Sequence, residues 1–318
     1  MEPSVWDLLH NGRTVAEFWS EWSQATNIWR TAFYDGDDTI EWRIAGFLVF
    51  FVALHVAMLT LKRAGLLSDV LASRPTVVAN QLHCSSVSLL ALYLLVTGDD
   101  TNVESYALWQ EWCIPFSMGY FCGDILWYAI PAKYSPLSST ASFDWLILVH
   151  HATILMCTYP IATAAGAELA GAGSALWSVR LNLLNYLCEL TNPLMNYRWY
   201  LMQTLPAHRA DFAATVLLLV ATLAGRVVLL GWLLLCYVLP NAALFIEAKQ
   251  VFFYYAIVVG HVLILLLSLY WLKVLTKPGL QRMLEFTPAP KRLKGGTFTF
   301  GTDMGRSRAA TSEKKKSS

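Results

Sequence analysis

Long apolar runs alternate with short polar connections along most of this chain. A membrane-spanning helix needs about 20 mostly apolar residues. Six runs meet this requirement, at about Ile44 to Leu61, Val77 to Val96, Trp112 to Ile130, Phe143 to Ala164, Phe212 to Leu239 and Val251 to Leu275. The pattern predicts an all-α polytopic membrane protein, although the chain length alone would suit two soluble domains.

A seventh stretch, from about Ser174 to Met195, is apolar but carries polar side chains at regular intervals. Asn182, Asn185 and Glu189 fall at positions i, i+3 and i+7, which places them on one face of a helix. Inside a membrane such a face must turn toward protein or water. We therefore predict a bundle or barrel of seven transmembrane helices, whose fifth helix directs a polar stripe inward.

Composition supports the membrane assignment. Hydrophobic residues make up 56% of the chain, charged residues 14%, and the mean hydropathy is +0.46, whereas soluble proteins carry about 25% charged residues. The six cysteines lie within or at the ends of apolar runs, which argues against a disulfide framework. The net charge of +1 gives no reason to expect a nucleic-acid partner.

Basic residues cluster in alternate connections and thereby set the predicted orientation. Numbered along the chain, with the stretch from Ser174 to Met195 as the fifth span, the basic residues follow the first, third, fifth and seventh spans. They are Lys62, Arg63 and Arg74, then Lys133, then Arg198 and Arg209, then Lys273, Lys277 and Arg282. Acidic residues dominate the opposite side. We predict a lumenal segment (residues 1–43), a seven-span membrane domain (44–276) and a basic, disordered cytosolic tail (277–318).

The last residues of the sequence carry a further signal. Lys315 and Lys316 stand fourth and third from the end, and this placement resembles the dilysine retrieval signal of endoplasmic reticulum membrane proteins. It agrees with the cytosolic carboxyl terminus that the basic connections predict. We expect an endoplasmic reticulum location, with membrane lipids and a coat protein that reads this ending as partners.

Ionisable side chains lie at a similar depth in four of the predicted spans. At 1.5 Å per residue from the predicted cytosolic ends, they lie roughly 10 to 13 Å into the membrane. The set is His83, Asp124, the pair His150-His151, and Glu189. Ionisable groups are costly at such depths and mark functional sites. We therefore predict a polar site where these helices face one another.

The histidine pair is the most informative part of this layer. Successive helical residues are about 100° apart, so only one of His150 and His151 can point fully into a common cavity. Thr153 follows His150 by three residues and shares its face. Arg226 and His261, near the middle of the sixth and seventh spans, are candidates for a second site.

The layer contains residue types that bind metals, but their spacing does not match a metal motif. The chain has no His-x-x-His motif and no closely spaced Cys pair, which are the usual carriers of firm ligand geometry. We therefore predict no metal and no bound cofactor.

In order along the chain, these residues resemble the landmarks of the TLC-domain family. The matching pieces are Arg74 with His83, Gly119-Tyr120-Phe121 with Asp124, His150-His151, Glu189-Leu190-Thr191-Asn192-Pro193 leading into Asn196-Tyr197-Arg198-Trp199-Tyr200, and Arg226. The family includes the ceramide synthases, a translocon-associated membrane protein, and the endoplasmic reticulum protein defective in one neuronal ceroid lipofuscinosis. The resemblance covers about Arg74 to Leu275 and implies lipid or acyl-chain handling inside a helical barrel.

The chain lacks the fuller signature of the ceramide synthases, which have a His-Asp and a second Asp downstream of their His pair. One hypothesis is nevertheless an acyltransferase of lipid or sphingolipid metabolism, which moves an acyl group from acyl-CoA to a lipid amine or hydroxyl. The catalytic candidates are His151 or His150 as base or nucleophile, Glu189 or Asp124 as orienting carboxylate, and Thr153 as hydrogen-bond partner. The candidates for substrate binding are His83, Asn185, Asn192, Arg226, and Arg74 and Arg198 as donors to coenzyme phosphates.

A second hypothesis is a non-catalytic protein that binds lipid or sorts cargo between the endoplasmic reticulum and the Golgi. The dilysine-like ending favours it. A seven-span receptor would share the orientation, but the sequence lacks an Asp-Arg-Tyr turn after the third span and a lumenal Cys pair.

Overall fold

A computed structural model describes residues 39–98, 103–134, 137–138, 143–162, 171–204, 209–243 and 251–285. Helices occur there at all seven predicted positions, and these ranges contain no strand. They are α1 (Thr39–Arg63), a short α2 (Asp69–Ser73), α3 (Val77–Thr97), α4 (residues 109–129), α5 (Trp145–Ala162), α6 (Gly171–Tyr186), α7 (Thr191–Thr204), α8 (residues 209–241) and α9 (Val251–Glu285).

Four of these helices are long and apolar enough to cross a membrane: α1, α3, α8 and α9. The described apolar part of α5, Trp145–Thr158, is shorter. The all-α membrane architecture is confirmed, while the count of seven crossings stays a prediction. Most of the proposed lumenal segment and of the proposed tail lies outside the described residues, although α9 continues past the predicted end of its span to Glu285.

Large apolar side chains cover the outside of the helices, as a lipid environment requires. Val49, Leu89, Val220 and Leu266 are each more than half exposed, although burying such a side chain would normally stabilise a soluble protein by about 1.5–3 kcal/mol. Hydrocarbon is as apolar as leucine, so these faces are satisfied by lipid. The ionisable side chains of the predicted layer are buried instead.

The helices that carry the site depart from regular α-geometry at the site. In α4 the α-helix Ile114–Asp124 is followed by the π-helix Ile125–Ala129, and in α8 the segment Leu223–Val228 is a π-helix. A 3-10 turn, Leu187–Leu190, joins α6 to α7. Pro193 explains this turn, since it lacks the N–H that would bond to the carbonyl of Glu189. Irregular turns of this kind are frequent at functional sites.

Two groups of buried apolar side chains hold the helices together. The first includes Phe51, Trp109 and Trp127, and the second includes Trp177 and Leu233. Side chains of both groups line the cavities described below. Close packing of α1 against α4 depends on Gly119, because a Cβ there would lie 2.7 Å from the backbone nitrogen of Leu48.

Candidate functional site

Two neighbouring cavities lie between the helices. The first, which we call the mouth cavity, has a volume of about 90 Å³ and is lined by side chains that include Arg74, Asp124, His150, His151, Asn192, Arg226 and Trp271. The second, the core cavity, has a volume of about 70 Å³ and is lined by side chains that include Phe121, His150, Ile154, Asn182, Asn185, Glu189, Arg226, Ile257 and His261. His150 and Arg226 line both cavities, so they form the wall between them.

In the mouth cavity, α5 and α4 bring an imidazole and a carboxylate together. His151 Nδ1 lies 3.5 Å from Asp124 Oδ2, and both residues are buried, but Nδ1 makes no hydrogen bond within the described residues. The indole Nε1 of Trp127 donates to Asp124 Oδ1 at 2.8 Å and fixes the carboxylate. Asp124 is therefore the carboxylate beside His151, while Glu189 shares the core cavity with His150; the choice of orienting carboxylate stays a prediction.

His150 has a different environment from its neighbour. Its ring meets Trp271 of α9 edge to face, with the centroids 5.3 Å apart. Its Nδ1 is buried without a hydrogen-bond partner among the described residues. A buried nitrogen without a partner is costly, so this atom is available to a ligand.

Glu189 belongs to a separate buried network with the guanidinium of Arg226. Arg226 Nη2 lies 3.8 Å from Glu189 Oε1 and donates to Asn192 Oδ1 at 3.1 Å, while Arg226 Nε donates to Thr191 Oγ1 at 2.6 Å. The amide of Asn192 donates to Glu189 Oε2 at 2.6 Å. The network supplies the carboxylate that a buried arginine requires.

Arg226 also contacts an aromatic ring, since its guanidinium lies 5.3 Å from the ring centroid of Trp271. No partner for its Nη1 occurs among the described residues. Thus Arg226 is held on one side by Glu189 and Asn192 while one N–H₂ group remains free beside both cavities.

His83 lies behind this network rather than in a cavity. It is fully buried, stacks on Tyr120 with centroids 4.0 Å apart, and places Nε2 2.7 Å from Ser117 Oγ. The Cys84 thiol lies 3.5 Å from His83 Nδ1 and donates to Glu189 Oε2 at 3.2 Å.

The three residues His83, Cys84 and Glu189 offer nitrogen, sulfur and oxygen ligand atoms within 4.8 Å of one another, a donor set that suits zinc. Each of these atoms also has a protein hydrogen-bond partner within the same cluster, and Glu189 is neutralised by Arg226. We interpret the cluster as a structural network. The absence of a metal stays a prediction.

The polar stripe of α6 points toward the core cavity, as its spacing predicts. Asn182 Oδ1 accepts from Trp109 Nε1 at 2.9 Å, and the Asn185 amide lies 3.1 Å from His261 Nε2. His261 Nδ1 bonds to the carbonyl of Ile257 at 2.9 Å. His261 therefore pairs with Asn185 across the core cavity, while Arg226 pairs with Glu189.

The two arginines predicted to bind coenzyme phosphates differ in position. Arg74 lines the mouth cavity, its guanidinium lies 5.6 Å from the ring centroid of Trp199, and its Nε has no hydrogen-bond partner among the described residues. Arg198 instead donates through Nε to Thr215 of α8 at 2.6 Å. Arg74 is the one of the pair that the structure places at the site.

Of the predicted site residues, eight line one or both cavities: Arg74, Asp124, His150, His151, Asn185, Glu189, Asn192 and Arg226. His83, Thr153 and Arg198 do not. Thr153 packs beside Gly260 of α9. Cys84 and Trp271 also contact the site residues, but a small or aromatic residue in an apolar run carries no sequence signal that separates it from lipid-facing ones.

Comparison with known proteins gives one positive result. The sequence model of the TLC domain matches residues 77–277, which is more than half of the chain. No individually curated protein and no solved structure matches.

Proposed function

The chain belongs to the TLC-domain family, and we propose that it is a multi-pass endoplasmic reticulum protein of lipid metabolism that transfers an acyl group from acyl-CoA to a lipid amine or hydroxyl. The observation that carries this proposal is the approach of His151 Nδ1 to Asp124 Oδ2, 3.5 Å apart, inside a cavity. A carboxylate that faces one ring nitrogen makes the other a proton acceptor.

In this mechanism His151 is the general base. Its proton is assigned to Nδ1, whose 3.5 Å approach to Asp124 must tighten to a hydrogen bond when substrate binds, so Nε2 removes the proton from the acceptor amine or hydroxyl. The acceptor attacks the thioester carbonyl, a new C–N or C–O bond forms, and the C–S bond breaks. The departing thiolate takes the proton from His151, which restores the neutral imidazole and releases free coenzyme.

The carbonyl oxygen becomes negative in the transition state and needs a donor. Arg226 suits this role because its Nη1 has no partner among the described residues and the side chain lines both cavities. The other guanidinium nitrogens are held by Thr191 and Asn192. The donor is therefore fixed before the reaction, which is the condition for strong electrostatic stabilisation.

The coenzyme would lie outside the mouth cavity, since a volume of about 90 Å³ holds the thioester end and not a nucleotide. Arg74 offers its unpartnered Nε to a phosphate at the entrance. His150, with its unpartnered Nδ1 on the wall between the cavities, is placed to hold the thioester end.

The test is acyl transfer by the purified full-length protein in lipid–detergent micelles. The donor is a long-chain acyl-CoA, the acceptors are a sphingoid amine and a fatty alcohol, and mass spectrometry detects the acylated product. His151→Ala should lower kcat by at least about 100-fold, the range for a lost general base. Asn241→Leu is the control, because Asn241 lines neither cavity and donates to the Tyr237 carbonyl within its own helix.

Full transfer by a variant with both His150→Ala and His151→Ala would overturn the assignment. So would the absence of any transfer by the wild type with either acceptor. The second outcome would favour a non-catalytic lipid-binding protein. Lipids that co-purify with the wild type but not with Arg226→Met would then identify the ligand.

A further inference from the structure

The core cavity combines apolar walls with two amide side chains that the proposed reaction does not use. Its walls include Phe121, Ile154 and Leu230, while Asn182 and Asn185 lie one helical turn apart on α6. An apolar chamber with a few placed polar groups is the usual form of a ligand site that selects among similar molecules.

Asn182 offers a hydrogen-bond donor whose orientation is fixed. Its Oδ1 accepts from Trp109 Nε1 at 2.9 Å, and an indole nitrogen can only donate. The oxygen must therefore face Trp109, and the amide nitrogen faces away from it. That nitrogen has no partner among the described residues, although Asn182 is only 4% exposed.

Asn185 offers a hydrogen-bond acceptor, because of its contact with His261. Nδ1 of His261 donates to the Ile257 carbonyl at 2.9 Å. A charged imidazole is costly within the membrane, so the ring is neutral and its Nε2 is an acceptor. The atom assigned as Asn185 Oδ1 lies 3.1 Å from His261 Nε2, but two hydrogen-bond acceptors repel each other. Rotating the side-chain amide by a half-turn exchanges its oxygen and nitrogen, so the nitrogen donates to Nε2 and the oxygen is left free.

A free donor and a free acceptor, one helical turn apart, fit a hydroxyl group, which both accepts and donates. We infer that the core cavity binds a lipid chain that carries a hydroxyl group, with its oxygen accepting from Asn182 and its proton donated to Asn185. This inference rests on the proposed function, which places the reacting end of the chain at His150.

The positions of the two amides define where the hydroxyl lies. Asn182 and Asn185 lie on α6, before the 3-10 turn Leu187–Leu190 that carries Glu189, the partner of Arg226. The hydroxyl therefore lies on the α6 side of the cavity, away from the reacting end that the proposed function places at His150. An unsubstituted chain in the same place would leave both amide groups without partners, at the desolvation cost of buried polar groups.

Water is the competing occupant, since a cavity of about 70 Å³ holds several water molecules and water also both accepts and donates. The two occupants differ in a measurable way. Water in the cavity gives no preference among chain isomers, whereas a bound chain hydroxyl gives a preference for one position.

The experiment measures competition between fatty acids for the purified full-length protein by native mass spectrometry. The competitors are hexadecanoic acid, its singly hydroxylated positional isomers, and the ketone analogue of the best isomer. We expect one hydroxylated isomer to bind about tenfold more tightly than the unsubstituted acid, and the ketone, which only accepts, about threefold. Equal binding of all isomers, as water alone predicts, would overturn the inference.

Variants identify the amides as the source of the preference. Asn185→Leu should abolish it, while Asn185→Gln, which keeps an amide, should retain it or move it to a neighbouring isomer. Asn241→Leu is the control, because Asn241 is half-buried and bonds to the Tyr237 carbonyl outside the cavity. Because the readout is a ratio within one sample, partial loss of folded protein does not change it. A preference that survives in Asn185→Leu would overturn the assignment.

The outcomes separate this inference from the proposed function. Hydroxyl selectivity without acyl transfer would support the core cavity as a binding site and refute the transferase. Transfer without selectivity would refute the inference and leave the transferase intact.

Discussion

The mouth cavity and the core cavity share a wall, yet they carry different kinds of polar groups. His150 and Arg226 border both, but the mouth adds the ionisable side chains of Arg74, Asp124 and His151, whereas the core adds the amides Asn182 and Asn185 beside Glu189 and His261. Under the proposed function, proton transfer takes place in the mouth cavity and chain recognition in the core cavity.

The largest effect is expected from removal of Arg226, whose side chain lines both cavities. Arg226→Met leaves Glu189 buried without its partner, so we expect a loss of about 3–5 kcal/mol in the free energy of unfolding. Unfolding in detergent, followed by circular dichroism, measures this loss. The double variant Arg226→Met/Glu189→Gln should recover most of it, and a stable single variant would contradict the network.

Variants of the two buried carboxylates test whether Asp124 serves the proposed catalysis and Glu189 the structure. Asp124→Asn keeps the shape of the side chain but removes its charge beside His151, and should lower kcat by about 10- to 100-fold. Glu189→Gln should mainly lower stability, because it leaves Arg226 unpaired. Turnover and unfolding measured on both variants test this contrast, which fails if Glu189→Gln loses as much kcat per folded molecule as Asp124→Asn.

Filling one cavity at a time tests whether the core receives the chain. Ile257 is 2% exposed and lines the core cavity, so Ile257→Phe should lower transfer from a long-chain acyl-CoA by about tenfold and spare a short-chain donor. Leu218→Phe is the matched control, because Leu218 is equally buried but lines the mouth. It should affect both donors alike. Equal effects of the two variants would show that the chain lies elsewhere.

The smallest expected effect is on the binding of acyl-CoA at the entrance of the mouth cavity. Arg74→Met should raise the KM for acyl-CoA about fivefold through loss of a charge-assisted bond to phosphate. Arg198→Met should leave that KM unchanged, since Arg198 is bonded to Thr215. Steady-state kinetics with varied acyl-CoA concentration distinguishes the two, and a rise for Arg198→Met would contradict the assignment.

The sequence predicts the helical class, because apolar runs of span length have few alternatives. It also predicts that Asn182, Asn185 and Glu189 face inward, since their spacing follows the helical period. Depth counting places His83 and Asp124 at one level, but depth does not give the direction of a side chain around its helix. His83 lies behind Tyr120 and Asp124 lies in the mouth for that reason.

The side chains that each buried residue contacts were harder to predict than the depth at which the residue lies. Arg226 requires a carboxylate, but whether it meets Glu189 depends on the π-helical segment Leu223–Val228 that carries it, and no simple pattern in the sequence indicates such a segment. Trp271 contacts both Arg226 and His150, yet it reads as one more aromatic residue in an apolar run.

The wide turn around Arg226 also affects how related sequences should be aligned. A π turn accommodates one residue more than an α turn, so deleting Ala224 would let Leu223–Val228 close into an ordinary helix while the two flanking halves keep nearly the same rotational phase. The span would still cross the bilayer, but the wide turn that carries Arg226 would be lost. Within this helix, therefore, a one-residue gap between homologues signals a change at the Arg226 turn rather than a shift of the whole helix.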